Sequence, residues 1–219
     1  MKKLIVYDLD GTLVDTLEDL TQAANHMLGQ FQKPPLLPAD IRRFVGHGVH
    51  ELVKRCFQTD NPEQIGAGVT IFRAYYAEHL LDQSRLYPNA RKVLDYFRQQ
   101  GRVQVVITNK PTRESERILE GLKVAGYFTQ ILGAEAGYPR KPDPSVLHAL
   151  MRRLDLSSEE VLLIGDSVID VETARNAGCK AVAITHGFGD VGELRRAVPA
   201  IGIVNNFREL LVMARKQEW

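Results

Sequence analysis

The chain has 219 residues, 44% hydrophobic and 25% charged, enough to bury an ordinary core plus an insertion, or two small cores. Its 28 lysines and arginines against 27 aspartates and glutamates leave a net charge of +1, so no basic excess drives a nucleic-acid or anionic-membrane surface. No apolar run approaches the ~18 residues that cross a bilayer. Asp8 and Asp10 cut short the leader-like Met1-Lys2-Lys3 start before a secretory h-region forms. Cys56 and Cys179, far apart, read as small buried hydrophobes in a reducing compartment. A cytoplasmic protein without nucleic-acid or membrane partners is expected, as a monomer or homodimer.

Leu4-Ile5-Val6-Tyr7 has the length and composition of a buried strand. It runs into Asp8-Leu9-Asp10-Gly11-Thr12. Residues i and i+2 of a strand share a side, which brings the carboxylates of Asp8 and Asp10 together. Thr16–Leu28 reads as a helix, with Leu17, Leu20, Ala24 and Met27 on one face. Asp15 or Thr16 can cap it, and Asp19 stands where a capping box would place it. Pro34, Pro35 and Pro38 break the pattern. A short helix at Ile41–Phe44 leads to Val45-Gly46-His47-Gly48. Val49, Leu52, Val53, Cys56 and Phe57 form the next helical stripe, and Ile65, Val69, Phe72, Tyr76 and Leu80 another.

Near Tyr87-Pro88 the character changes to alternating strands and helices. Helices are expected at Ala90–Gln100, Glu114–Val124, Pro144–Leu154, Asp170–Ala177 and Asn206–Lys216. Strands are expected at Val103–Ile107, Gln130–Leu132, Val161–Ile164, Ala181–Ile184 and Ile201–Val204. The alternation predicts an α/β fold, a parallel sheet with helices on both faces. The first strand belongs to that sheet although its next partner lies about ninety residues on. Residues 16–83 are therefore an inserted all-helical module, and residues 1–15 with 84–219 form the α/β part.

Open parallel sheets bind ligands beyond the carboxyl ends of their strands. Three strands here end in unusual polar residues: Asp8 and Asp10, then Thr108-Asn109, then Gly165-Asp166-Ser167 with Asp170 following. A fourth segment, Arg140-Lys141-Pro142-Asp143-Pro144, holds a lysine between turn-forming prolines. Adjacent carboxylates need a shared proton or a cation, and a hard ion such as Mg²⁺ takes oxygen ligands. Carboxylates, a hydroxyl and an ammonium around one cation suit phosphoryl transfer, where charge neutralisation and positioning dominate.

These four segments, in order, resemble the motifs of the haloacid dehalogenase-like hydrolase superfamily, and the resemblance spans essentially the whole chain. It implies a Rossmann-like core with an inserted helical cap domain, Mg²⁺ as cofactor and a small phosphorylated metabolite as substrate. By position, it makes Asp8 the nucleophile that carries an aspartyl-phosphate and Asp10 the general acid/base. Thr108 would bond the phosphoryl oxygens with Asn109 beside it, and Gly11 and Thr12 would turn toward the ligand. Lys141 would neutralise the phosphoaspartate. The metal would be held by the Asp8 side chain, the Asp10 carbonyl and Asp166, with Asp170 and Ser167 behind, Asp170 supporting Lys141 or the metal's waters.

The Gly46-His47-Gly48 loop with Leu52-Val53, together with Thr108-Asn109-Lys110-Pro111 and Thr185-His186-Gly187-Phe188-Gly189, resembles phosphoglycolate phosphatases, in which an asparagine is more usual than His47. Gly46, His47 and Gly48 are thus candidate substrate contacts. His186 is a candidate to border the site, while His26, His50, His79 and His148 read as surface or packing residues. A β-phosphoglucomutase-like mutase, a pyrophosphatase or another sugar or nucleotide phosphatase would share every core motif. A non-catalytic phospholigand-binding protein would not need them all intact.

Overall fold

The structure is a computed structural model that describes residues 1–197, 202–217 and 219. Strand β1 (Leu4–Tyr7) is buried at every position. A two-residue strand β2 (Val14–Asp15) precedes four helices: α1 (Leu17–Gln30), α2 (Pro38–Phe44), α3 (Val49–Phe57) and α4 (Pro62–His79). Strand β3 (Arg85–Leu86) brings the chain back and pairs antiparallel with β2, Val14 opposite Leu86 and Asp15 opposite Arg85. Then follow α5 (Ala90–Gln99), β4 (Val103–Ile107), α6 (Thr112–Gly121) and β5 (Gln130–Leu132). Next come α7 (Ser145–Leu154), β6 (Val161–Gly165), α8 (Val168–Asn176) and β7 (Lys180–Ile184). The described chain closes with α9 (Val191–Ala197), β8 (Ile203–Val204) and α10 (Phe207–Lys216).

Six strands form one parallel sheet in the order β5-β4-β1-β6-β7-β8. Both faces are covered, as the unbroken apolar runs predict. Ile5, Tyr7, Val106, Leu162 and Ile164 pack on Leu94 and Phe97 of α5 and on Phe207 and Leu210 of α10. Alternate residues Leu4, Val6, Val105 and Leu163 pack on Leu147 and Leu150 of α7 and on Ala174 of α8. Each fully buried Leu or Phe stabilises the fold by about 1.5–3 kcal/mol. The chain departs from β1 toward β4 on one side and β6 on the other, so a crevice opens at the carboxyl end of β1.

Helices α1 to α4 pack on one another, and their buried stripes (Leu20, Ala24, Leu52, Val53, Ile65, Phe72) join the α5-side cluster of the sheet without a break. Asn61 caps α4, accepting from the amides of Glu63 and Gln64, with Pro62 at the first helical position. No helix of the described residues is long and apolar enough to cross a membrane. Both cysteines are free thiols.

Several local expectations give way to tertiary contacts. There is no capping box at Thr16: its hydroxyl donates to Asp10 Oδ1 at 2.8 Å. Asp19, fully buried, instead accepts from Gln83 N (2.8 Å), Ser84 N (2.8 Å) and Ser84 Oγ (2.6 Å). Three donors satisfy a buried carboxylate better than one helix amide. Helix α6 starts at Thr112 and ends at Gly121, because Lys123 turns left-handed at φ 56° before Val124 is reached. Helix α8 begins at Val168, capped by Ser167. The last strand spans Ile203–Val204, and Ile201 lies outside the described residues. Strands β2 and β3 are too short to carry a period. Helix α9 was not expected, although Asp190 Oδ1, accepting from Glu193 N at 2.8 Å, is an N-terminal signal visible in the sequence.

Candidate active site

The carboxyl ends of β1, β4 and β6 and the loop before α7 meet in one crevice. Asp8 follows β1 directly, and its amide donates to Ile164 O of β6 at 3.0 Å. Thr108 and Asn109 follow β4, and Asp166 follows β6. Lys141 Nζ lies 2.8 Å from Asp8 Oδ1 and 2.6 Å from Asp170 Oδ1, all three side chains being withdrawn from solvent. Asn109 fixes the lysine's backbone: its Oδ1 accepts from Lys141 N (2.9 Å) and its Nδ2 donates to Lys141 O (3.1 Å). The same Nδ2 donates to Gly46 O of the helical insertion at 2.8 Å, so Asn109 is spent on two loops.

Asp166 is held from both sides. Thr12 Oγ1 donates to its Oδ1 at 2.7 Å, while Phe188 N (2.6 Å) and Gly189 N (3.3 Å) donate to Oδ2. Thr12 is therefore turned to Asp166 and not to the cavity. Gly11 lies so close to Asp166 that a Cβ there would collide with the carboxylate, and its φ of 83° suits glycine alone. His186 stacks on Tyr87 with ring centroids 3.8 Å apart, and its Nε2 is 3.0 Å from Thr12 O, behind the same segment. Burial lowers the His186 pKa. Ser167 donates to Asp170 Oδ2 from both its amide (3.1 Å) and its hydroxyl (2.6 Å).

Asp10 has a separate setting. Lys110 Nζ is 3.1 Å from each of its carboxylate oxygens and donates to the Tyr76 hydroxyl of α4 at 2.8 Å. Burial opposes the charge on Lys110, but Asp10 and Tyr76 outweigh it and raise its pKa. The sequence reading gives neither Lys110 nor Tyr76 a role: Tyr76 counts there as one more apolar stripe residue, and Lys110 stands in the Thr108-Asn109-Lys110-Pro111 segment behind two stronger motif residues. The insertion also grips the crevice through Arg42, which donates to the carbonyls of Gly187 and Phe188, next to the amides that hold Asp166.

Asp8, Asp166 and Asp170 each offer a carboxylate oxygen within 4.8 Å of the others. Burial pushes the Asp8 pKa up to about 6 against the pull of Lys141, and pushes Asp166 to about 7, with Asp8 adding repulsion. Burial likewise opposes the Lys141 charge, yet Asp170 and Asp8 raise its pKa. With every carboxylate ionised, three anions face one ammonium, a net charge of minus two. The shortfall, the oxygen donors and the raised carboxylate pKa values fit a divalent hard cation such as Mg²⁺. Asp10 lies outside this group, its carboxylate taken by Lys110 and Thr16.

A cavity of about 70 Å³ adjoins both settings, lined by Asp8, Asp10, Thr108, Asn109, Lys110, Lys141 and Ser167 from the sheet side. Gly46, Gly48, Leu52, Phe72, Arg73 and Tyr76 line it from the insertion. His47 does not: its side chain is exposed, and its carbonyl lies 3.5 Å from Arg140 Nη1. The structure thus brings Asp8, Asp10, Thr108, Lys141, Asp166 and Asp170 together and leaves the His47 side chain outside.

The chain as a whole is similar to known proteins. The sequence pattern of the haloacid dehalogenase-like hydrolases matches residues 5–184. A Pseudomonas aeruginosa protein named phosphoglycolate phosphatase 1 is 33% identical over 221 residues, covering 98% of this chain and 80% of its own. A Mannheimia succiniciproducens phosphoglycolate phosphatase is 36% identical over 195 residues, 85% of this chain and 87% of its own. The crystal structure of a protein described as a predicted phosphoglycolate phosphatase from Haemophilus somnus superposes with a TM-score of 0.92 at 30% identity, covering 97% of this chain and 98% of that one.

Proposed function

The chain belongs to the haloacid dehalogenase-like hydrolase family, and from that membership we propose that it is a phosphoric monoester hydrolase acting on a small phosphomonoester, 2-phosphoglycolate foremost. One observation carries the reading: a buried carboxylate with a lysine at 2.8 Å and a second, separately held carboxylate share one small cavity. Asp8 attacks phosphorus, forming an Asp8–phosphorus bond as the ester P–O bond breaks. In this role Asp10 meets the substrate in its protonated form and passes that proton to the departing oxygen. It then takes one from the water that attacks the aspartyl-phosphate, releasing phosphate and restoring Asp8.

Lys141 keeps its ammonium against Asp8 and offsets charge gathering on the phosphoryl oxygens. Thr108 Oγ1 accepts from Lys110 N at 3.2 Å, which leaves its hydroxyl proton for a phosphoryl oxygen. Mg²⁺ held by Asp8, Asp166 and the Asp10 carbonyl would supply the two missing positive charges and neutralise the phosphoryl group. Residues 16–83 act in this reading as a cap over a core of 1–15 and 84–219. Gly46 and Gly48 contribute to its roof, and the small cavity favours a short leaving group over a nucleotide. Free Cys56 and Cys179 agree with work in the reducing cytoplasm.

A Mg²⁺-dependent panel of 2-phosphoglycolate, pyrophosphate, nucleoside monophosphates and glucose 1-phosphate tests the reading. The highest kcat/KM is expected for 2-phosphoglycolate, with turnover lost in EDTA. Release of phosphate from none of them, or full activity after Asp8→Asn, would refute the hydrolase assignment. Turnover without preference for 2-phosphoglycolate would refute only the substrate.

A further inference from the structure

Of the described residues lining the cavity, three are cations, and they differ in what already holds them. Lys141 is taken by Asp8 and Asp170, and Lys110 by Asp10 and the Tyr76 hydroxyl. Among the described residues Arg73 pairs only with Glu135, at 3.5 Å, with 44% and 56% of the two side chains exposed. An ion pair that open to water contributes little, and a guanidinium has five N–H donors to give. Arg73 keeps nearly all of its binding capacity.

Its position says what that capacity serves. Arg73 precedes Tyr76 by three residues on α4, so the two share a helix face. The Tyr76 hydroxyl accepts from Lys110, and Lys110 holds Asp10. In the phosphatase reading, on which this inference rests, Asp10 hands its proton to the leaving oxygen. Arg73 therefore stands on the leaving-group side of the cavity, beyond the phosphoryl end at Asp8 and Lys141. Glu114 lines the same cavity and repels a second anion there unless a cation answers it.

We propose that Arg73 is the specificity-determining residue that selects a leaving group carrying a carboxylate. A planar guanidinium pairs with a carboxylate through two parallel hydrogen bonds, a match that neither Lys110 nor Lys141 offers once held by its aspartates. A short acid such as the glycolate of 2-phosphoglycolate is the class of leaving group selected. The apolar neighbours Leu52 and Phe72 recognise no charge of their own.

Three esters of nearly equal size separate charge from shape: 2-phosphoglycolate, ethyl phosphate and O-phosphoethanolamine. Measuring kcat and KM for each with Mg²⁺ in the parent, Arg73→Gln and Arg73→Glu proteins tests the assignment. The half-exposed position tolerates either change, and equal melting temperatures verify folding. The ratio of kcat/KM for 2-phosphoglycolate over ethyl phosphate is expected to fall about tenfold or more in R73Q, mainly through KM. In R73E, O-phosphoethanolamine should overtake 2-phosphoglycolate. A parent preference for 2-phosphoglycolate that persists within about twofold in both variants would overturn the Arg73 assignment alone. A parent with no preference among the three would overturn carboxylate selection but leave the hydrolase standing. A parent that cleaves none would overturn the phosphatase reading itself.

Discussion

Two carboxylate settings lie side by side in the crevice, and they are built on opposite principles. Around Asp8, three buried carboxylates share one ammonium, and two of them have pKa values raised to about 6 and 7. Around Asp10, one carboxylate meets one ammonium, with a threonine hydroxyl and a tyrosine hydroxyl completing the bonds. The first setting is short of positive charge, so it is completed only by something that arrives. The second is balanced within the chain, and half of its framework comes from the helical insertion. A buried pair gains little over an apolar core but is costly to break. The two settings should therefore respond differently to the same kind of perturbation.

The sharpest break is Asp8→Asn, which in the proposed mechanism removes the attacking oxygen and one surplus anion together. Steady-state assays should show at least about a 10³-fold loss of turnover. Thermal melts in EDTA should show no loss of stability, since Lys141 keeps Asp170. Lys110→Met attacks the balanced setting and should behave in the opposite way. It strands Asp10 as an unpaired buried charge and is expected to cost about 3–5 kcal/mol in denaturant unfolding. Adding Mg²⁺ probes the deficient setting alone. At a hundredfold excess over Kd it should stabilise by about 2.7 kcal/mol, raising Tm by about 5–10 °C for a chain of this size.

The deficient setting also predicts a pH trend with a definite sign. The folded-state pKa values of Asp8 and Asp166, about 6 and 7, exceed the ordinary 3.8. Their contribution to stability is present in full below the ordinary value and is lost as pH rises through 6 and 7. In EDTA, Tm at pH 5.5 should exceed Tm at pH 8, and saturating Mg²⁺ should abolish that difference. Tyr76→Phe is the mildest change. It removes one acceptor of Lys110, and unfolding should register about 1 kcal/mol.

The sheet was legible because β1, β4 and β6 are buried on both faces, so their apolar runs leave no ambiguity of period. Asp8, Thr108 and Asp166 were legible because each follows a strand directly, whereas Lys141 stood out only by its place between turn-forming prolines. What escaped is set by contacts between distant positions. Asp19 has the spacing of a capping residue, yet it bonds Gln83 and Ser84, partners no local window contains. Lys110 and Tyr76 are 34 positions apart, and only the packing of α4 over the sheet makes them neighbours. His47 illustrates the converse: an unusual residue between two glycines attracted attention, but the loop presents its glycines to the cavity and its imidazole to solvent.

The pairing of β2 with β3 has a further consequence. Asp15 and Arg85 are register partners, so the chain leaves for the helices and comes home at one spot. Asp19, bonded to Gln83 and Ser84, stitches the outgoing and returning segments together just above it. A detour whose two ends already touch imposes no span on the protein that hosts it. Its helices can be lengthened, shortened or exchanged while the gap the sheet must bridge stays the same. In the proposed reading, leaving-group recognition lies on that detour and the phosphorus chemistry on its host, with Thr16 and Tyr76 tying the two together at Asp10 and Lys110.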